Sequence, residues 1–129
     1  MMHRLRPIYR LVSALTLFVG ALPTGSQAAC KIQHYIIRIG QTTTANWTST
    51  DGSVCISNFK LAKTSRYSSL SIASKPSHGW AGRSGVDSLA YRPDPGFKGE
   101  DAFIVDVQGH GKGKPGEGTA VIRVYVRVE

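Results

Sequence analysis

The end of the chain carries its sharpest constraint. Between Ala120 and Val128, the residues Ile122, Val124, Val126 and Val128 fall on every second position, with Arg123, Tyr125 and Arg127 between them. A period of two sets four β-branched residues on one face of a strand and the cations and phenol on the other. Such a half-buried strand fits an antiparallel sheet with one face on a core. From residue 29 onward the other apolar residues also come in short runs, broken by Gly, Ser, Thr, Asn and Pro. No stretch there repeats with the period of an amphipathic helix, so the pattern is one of many short strands.

Lys31 to Ile39 reads as the first strand, with Tyr35, Ile36, Ile37 and Ile39. Thr42 to Thr50 is polar and Thr-rich, and it leads into the turn signal Asp51-Gly52. Val54 to Lys63 reads as a second strand region. Tyr67 to Ala73 alternates Leu70 and Ile72 with serines, and Pro76 to Gly79 is a turn. Trp80 to Gly82 and Ser88 to Arg92 read as a hairpin around Gly85. Ala102 to Val107 places Phe103, Val105 and Val107 on one face. About seven strands with closely spaced turns predict an all-β antiparallel sandwich, with a small closed barrel as the alternative. No repeat or linker divides the segment, so residues 29–129 read as one domain.

Residues 1–28 read differently. Arg4, Arg6 and Arg10 precede an apolar run, Leu11 to Leu22, followed by Pro23, Gly25 and the small-residue pattern Ser26-Gln27-Ala28. This is the layout of a signal peptide cleaved after Ala28. The run is shorter than the roughly 20 residues that a membrane-spanning helix needs. Cys30 raises a lipoprotein alternative, but Gln27 stands where that signal wants a leucine-like residue. The expected location is therefore secreted or periplasmic. Three of the 16 basic residues and none of the 8 acids lie in this leader, which leaves residues 29–129 with a net charge of +5. A basic domain favours acidic partners, and the same charge serves solubility.

In an oxidising compartment, Cys30 and Cys55 are expected to pair. The chain-entropy account values a loop of that length at about 3.5 kcal/mol. Two cysteines are too few for a multi-bridge scaffold or a four-thiolate zinc site.

One stretch is more specific than composition. Pro76, His78, Gly79, Tyr91, Pro93, Gly96, Phe97, Gly99, Asp101 and Phe103 spell Pro-x-His-Gly, Tyr-x-Pro and Gly-Phe-x-Gly-x-Asp-x-Phe across residues 75–107. This resembles the bacterial Ig-like, cadherin-like repeat domains of secreted and surface proteins. The resemblance implies an Ig-like sandwich, and it implies that these residues specify fold rather than catalysis. Phe97 and Phe103 would plug the core, and Asp101 would bond backbone N–H groups in a turn. Many relatives carry an acidic turn after the Phe-containing strand, and some bind calcium. Here that turn is Gly109-His110-Gly111-Lys112-Gly113-Lys114, which is basic and lacks the clustered oxygens calcium needs.

No motif names a reaction. Gly111, Gly113 and Gly116 spell GxGxxG, but a dinucleotide site needs a helix next and a strand follows. No Gly-x-Ser-x-Gly elbow is present. His34, His78 and His110 have no metal-ligand spacing. No catalytic, metal or cofactor site is therefore expected. The candidate ligand contacts are His110, Lys112 and Lys114 on the turn, and Arg123, Tyr125 and Arg127 on the outward face of the last strand. The aromatics Trp47, Trp80, Tyr35 and Tyr67 are further candidates for a sugar- or protein-binding face. The expected function is an exported, non-catalytic binding module for a protein or an anionic envelope component, with no specific nucleic acid and no membrane span after processing. The alternatives are a structural subunit that self-associates by edge-strand pairing and a small secreted hydrolase.

Overall fold

A computed structural model describes residues 29–59, 66–85, 87–111 and 116–129, together with Gly20; Arg66 is described for its backbone only. The leader expected over residues 1–28 falls, apart from Gly20, outside these residues. Eight strands run in chain order: β1 Cys30–Ile32, β2 Thr42–Ser49, β3 Cys55–Asn58, β4 Arg66–Ser74, β5 Gly79–Gly85, β6 Ser88–Pro93, β7 Gly99–His110 and β8 Gly118–Val128. They form a five-stranded sheet, β1-β2-β8-β7-β4, and a three-stranded sheet, β3-β6-β5. Consecutive strands either pair as neighbours or change sheets, which makes the two layers a β-sandwich.

The last strand folds as its alternation requires. Ala120, Ile122, Val124, Val126 and Val128 are buried, whereas Arg123, Tyr125 and Arg127 are exposed. Strand β7 matches it with Phe103, Val105 and Val107 inward. From the small sheet, Leu89 and Tyr91 fill the other side of the core. Phe103 lies at its centre. The Trp47 ring meets it edge-on at 5.7 Å, and the Tyr91 ring stacks on it at 6.0 Å. Burial of each such side chain stabilises the fold by roughly 1.5–3 kcal/mol.

Two elements depart from the sequence reading. The run from Lys31 to Ile39 gives only the short β1; beyond it the chain is irregular, and of its isoleucines only Ile37 is fully buried while Ile36 is 42% exposed. The polar segment after it is a full strand. Ala45, Trp47 and Ser49 of β2 point inward, and Thr44 and Asn46 point outward. Moreover, β2 runs parallel to β8, with Thr42 opposite Val121 and Ser49 opposite Val128. All the other strand pairs are antiparallel. The large sheet is therefore mixed, because the chain enters it beside its own final strand.

At the end of β2 the chain reverses through Asp51 and Gly52, whose φ values are 54° and 68°. The Ser53 amide closes this turn on the Thr50 carbonyl at 3.1 Å. Two successive positive φ angles are the requirement of a type I′ turn, which the Asp-Gly pair meets. Cys30 and Cys55 are bonded, with their Cα atoms 5.4 Å apart. The bridge joins the edge strand β1 of one sheet to the edge strand β3 of the other, and so closes one flank of the sandwich. Among the described residues no helix is long and apolar enough to cross a membrane.

Candidate functional site

The residues of the Pro-x-His-Gly to Phe103 pattern converge on one pole of the sandwich, and Asp101 is the hub. Its side chain faces inward and is 7% exposed. Oδ1 accepts from the Ser77 and Ala102 amides at 3.0 and 2.9 Å. Oδ2 accepts from the His78 amide at 3.0 Å and from the Tyr91 hydroxyl at 2.8 Å. One carboxylate thus ties the β4–β5 turn, the small sheet and β7 together. Burial and the neighbouring Asp101 and Asp94 charges push the Tyr91 phenol well above its ordinary range.

The rest of the pattern serves the same corner. A Cβ on Gly79 would collide with the Arg92 carbonyl oxygen, so the turn can close only around glycine. Asp94 to Phe97 form a turn in which the Phe97 amide donates to the Asp94 carbonyl at 3.0 Å and Gly96 has φ 78°. Proline at the second position and glycine at the third fit a type II turn. Phe97 packs against the core's rim, and the His78 ring stacks on it at 4.2 Å, nearly parallel.

Ser77, His78 and Asp101 share a hollow, which invites a hydrolase reading. These three residues are not arranged as a catalytic triad. Both Asp101 oxygens are taken by the four donors named above, and the imidazole is stacked on Phe97. A catalytic triad needs that carboxylate to orient the histidine.

Beside this corner lies the outward row of β8. The strand is the centre of the five-stranded sheet. Tyr125, 45% exposed, stands opposite Ala102 of β7 and Asn46 of β2. These small neighbours leave the phenol as a ridge between two shallow hollows. One, of about 300 Å³, is lined by Ser77, His78, Glu100, Asp101 and Ala102. The other, of about 240 Å³, is lined by Asn46, Trp47, Thr48, Glu100 and Arg127. Arg127 donates to Glu100 Oε1 from Nε and Nη2 at 3.2 and 3.1 Å. Both side chains are well exposed, so this pair contributes little to stability and can exchange partners. Arg123 has no side-chain partner among the described residues.

The second group of expected contacts is placed elsewhere. His110 ends β7, and its Nδ1 donates to the Gly116 carbonyl at 3.0 Å. Its Nε2 lies 3.7 Å from the Glu117 carboxylate. The ring therefore bridges the two arms of its own hairpin. Lys112 and Lys114 lie outside the described residues. Gly118, which pairs with Gly109 beside His110, is seven positions from Tyr125 on β8, or about 24 Å. The structure brings Arg123, Tyr125 and Arg127 together and leaves His110 remote from them. Sequence reasoning missed Glu100, Asn46 and Thr48. They reach the site through strand register, which no local pattern reveals.

Among the described residues no three His, Cys, Asp or Glu side chains gather as a metal site. No protein-family model matches the chain, and no curated protein matches it.

Proposed function

We propose that this protein is an exported, non-catalytic binding module whose outward β8 face engages a protein or an anionic envelope component. One observation carries the reading. Tyr125 rises between two hollows on the central strand, with a guanidinium two residues away on either side. Tyrosine and arginine are the residues that interfaces favour, because each joins apolar area to hydrogen bonding. The disulfide is consistent with an oxidising, exported setting. The resemblance to secreted Ig-like repeat domains supports the same class of activity.

The test is capture from envelope extract, followed by identification and purification of the captured component and measurement of its affinity. Wild-type protein is compared with an Arg123→Ala/Tyr125→Ala variant. The reading expects the purified component to bind the wild type and to lose at least about tenfold in affinity for the variant. Equal affinities would refute the β8 face as the site. A protein that captures nothing and elutes as a dimer would favour self-association through an edge strand.

A further inference from the structure

The outer face of the three-stranded sheet carries an exposed aromatic ring beside small residues. Ile56 of β3, Ala90 of β6 and Gly82 of β5 stand in one row across it, with Trp80 and Arg92 paired in the next. Trp80 is 47% exposed, yet one face of its ring is packed down. A Cβ on Gly82 would lie 2.5 Å from Cζ2 and 2.8 Å from Cη2 of that ring, so the indole lies down across the glycine backbone. The outward-pointing Ala90 beside it is only 4% exposed. The Arg92 guanidinium lies over the ring, 5.5 Å from its centroid. On the other side, Trp80 borders a hollow of about 250 Å³ lined by Ile72, Lys75, Pro76, Gly79 and Ala81.

We infer that Trp80, Arg92 and Lys75 form a subsite for an acidic pyranose, such as a uronate unit of a polysaccharide. Arg92 is exposed and can swing from over the ring to a sugar's carboxylate, which uncovers the outer face of an indole already held flat for the axial C–H bonds of the sugar. The adjoining hollow is of monosaccharide scale. Two exposed cations flank the ring, and a guanidinium matches a carboxylate in geometry as well as charge. The net charge of +5 over residues 29–129 disfavours a second copy as the occupant and favours an anionic polymer. This subsite lies on the opposite sheet from Tyr125 and does not depend on that face.

The protein has two tryptophans, and Trp47 is only 2% exposed, so quenching by acrylamide reports mainly on Trp80. Polygalacturonate should shield Trp80 from acrylamide, and added salt should weaken the effect. Dextran, which is neutral, should shield it less, and polyglutamate, which has charge without rings, should not shield it. By calorimetry, Trp80→Ala should weaken polygalacturonate binding about tenfold or more, and Arg92→Gln should weaken it and flatten its salt dependence. Tyr125→Ala should leave it unchanged, which separates this subsite from the β8 face. No binding of polygalacturonate, equal shielding by polyglutamate, or full affinity in Trp80→Ala would each overturn the assignment.

Discussion

Replacing Asp101 tests whether the residues converging on it from the 75–107 segment act as one structural unit. The carboxylate receives four hydrogen bonds on two oxygens. Asparagine keeps the shape but must turn its NH2 toward one of those oxygens' donor pairs. Facing Ser77 and Ala102, it would strand two amides. Facing His78 and Tyr91, it would strand one, because the phenol can rotate to accept. The second arrangement is the cheaper. It leaves one amide unpaired, at about 1–3 kcal/mol, and removes the charge that strengthens the remaining bonds. Asp101→Asn should therefore cost about 2–4 kcal/mol. Asp101→Ala strands every donor, although the exposed Ser77 and His78 turn can recruit water, so about 4 kcal/mol is expected. Tyr91→Phe deletes a single bond and should cost about 1–2 kcal/mol. In a double-mutant cycle, Asp101→Asn and Tyr91→Phe should couple by about 1 kcal/mol, since they share that bond. Urea unfolding followed by far-UV circular dichroism measures all four species. An Asp101→Ala protein within about 0.5 kcal/mol of wild type would refute the hub, because surface substitutions away from such features stay in that range.

Three further outcomes are expected. Burial raises the Tyr35 and Tyr91 phenols, so the folded state holds their protons after the unfolded chain begins to release them near pH 10. The stability they confer is complete below that pH and falls as pH rises further; urea midpoints from pH 8 to 11 should decline in wild type, and less in Tyr91→Phe. Phe103→Ala should cost about 3–5 kcal/mol through the cavity it leaves beneath Trp47 and Tyr91, measured as a fall in urea midpoint at unchanged slope. Cys30→Ala/Cys55→Ala should lower stability by about 3.5 kcal/mol if unfolded-chain entropy dominates; a midpoint equal to wild type would show that the bridge adds nothing.

What could be read from the sequence depended on whether the signal was local. Strand β8 declared itself because four β-branched residues alternate with polar ones. The Arg123, Tyr125 and Arg127 row came with it, since outward positions follow from the same period of two. Strand β2 was harder. Its inward face is Ala45, Trp47 and Ser49, two small residues around one large one, so apolar alternation is faint. Its partner is the far end of the chain, and a parallel pairing of that kind leaves no turn signal. The Lys31 to Ile39 run misled in the opposite sense. Its isoleucines have strand propensity, but propensity does not supply a partner: after Ile32 the chain leaves the sheet, and only Ile37 reaches the core fully. The hollows beside Tyr125 were illegible for a further reason. They exist because Ala102 and Asn46, distant in sequence, stand opposite it.

The bridge between Cys30 and Cys55 also decides how the domain carries tension. A pull applied at residues 29 and 129 enters at Cys30, and the S–S bond passes it directly to the start of β3. Residues 31–54, with all of β2, lie on a side branch of that covalent path, tied to the pulled β8 only by hydrogen bonds. Reduction removes that shortcut. The force then travels through β1 and arrives at the Thr42 end of β2, while β8 is drawn from its Val128 end. Because these two strands are parallel, the opposed pulls slide one along the other, and all their registered pairs are strained together rather than opened in turn. The same strand pair is bypassed by the covalent path in the oxidised domain and lies across it in the reduced one.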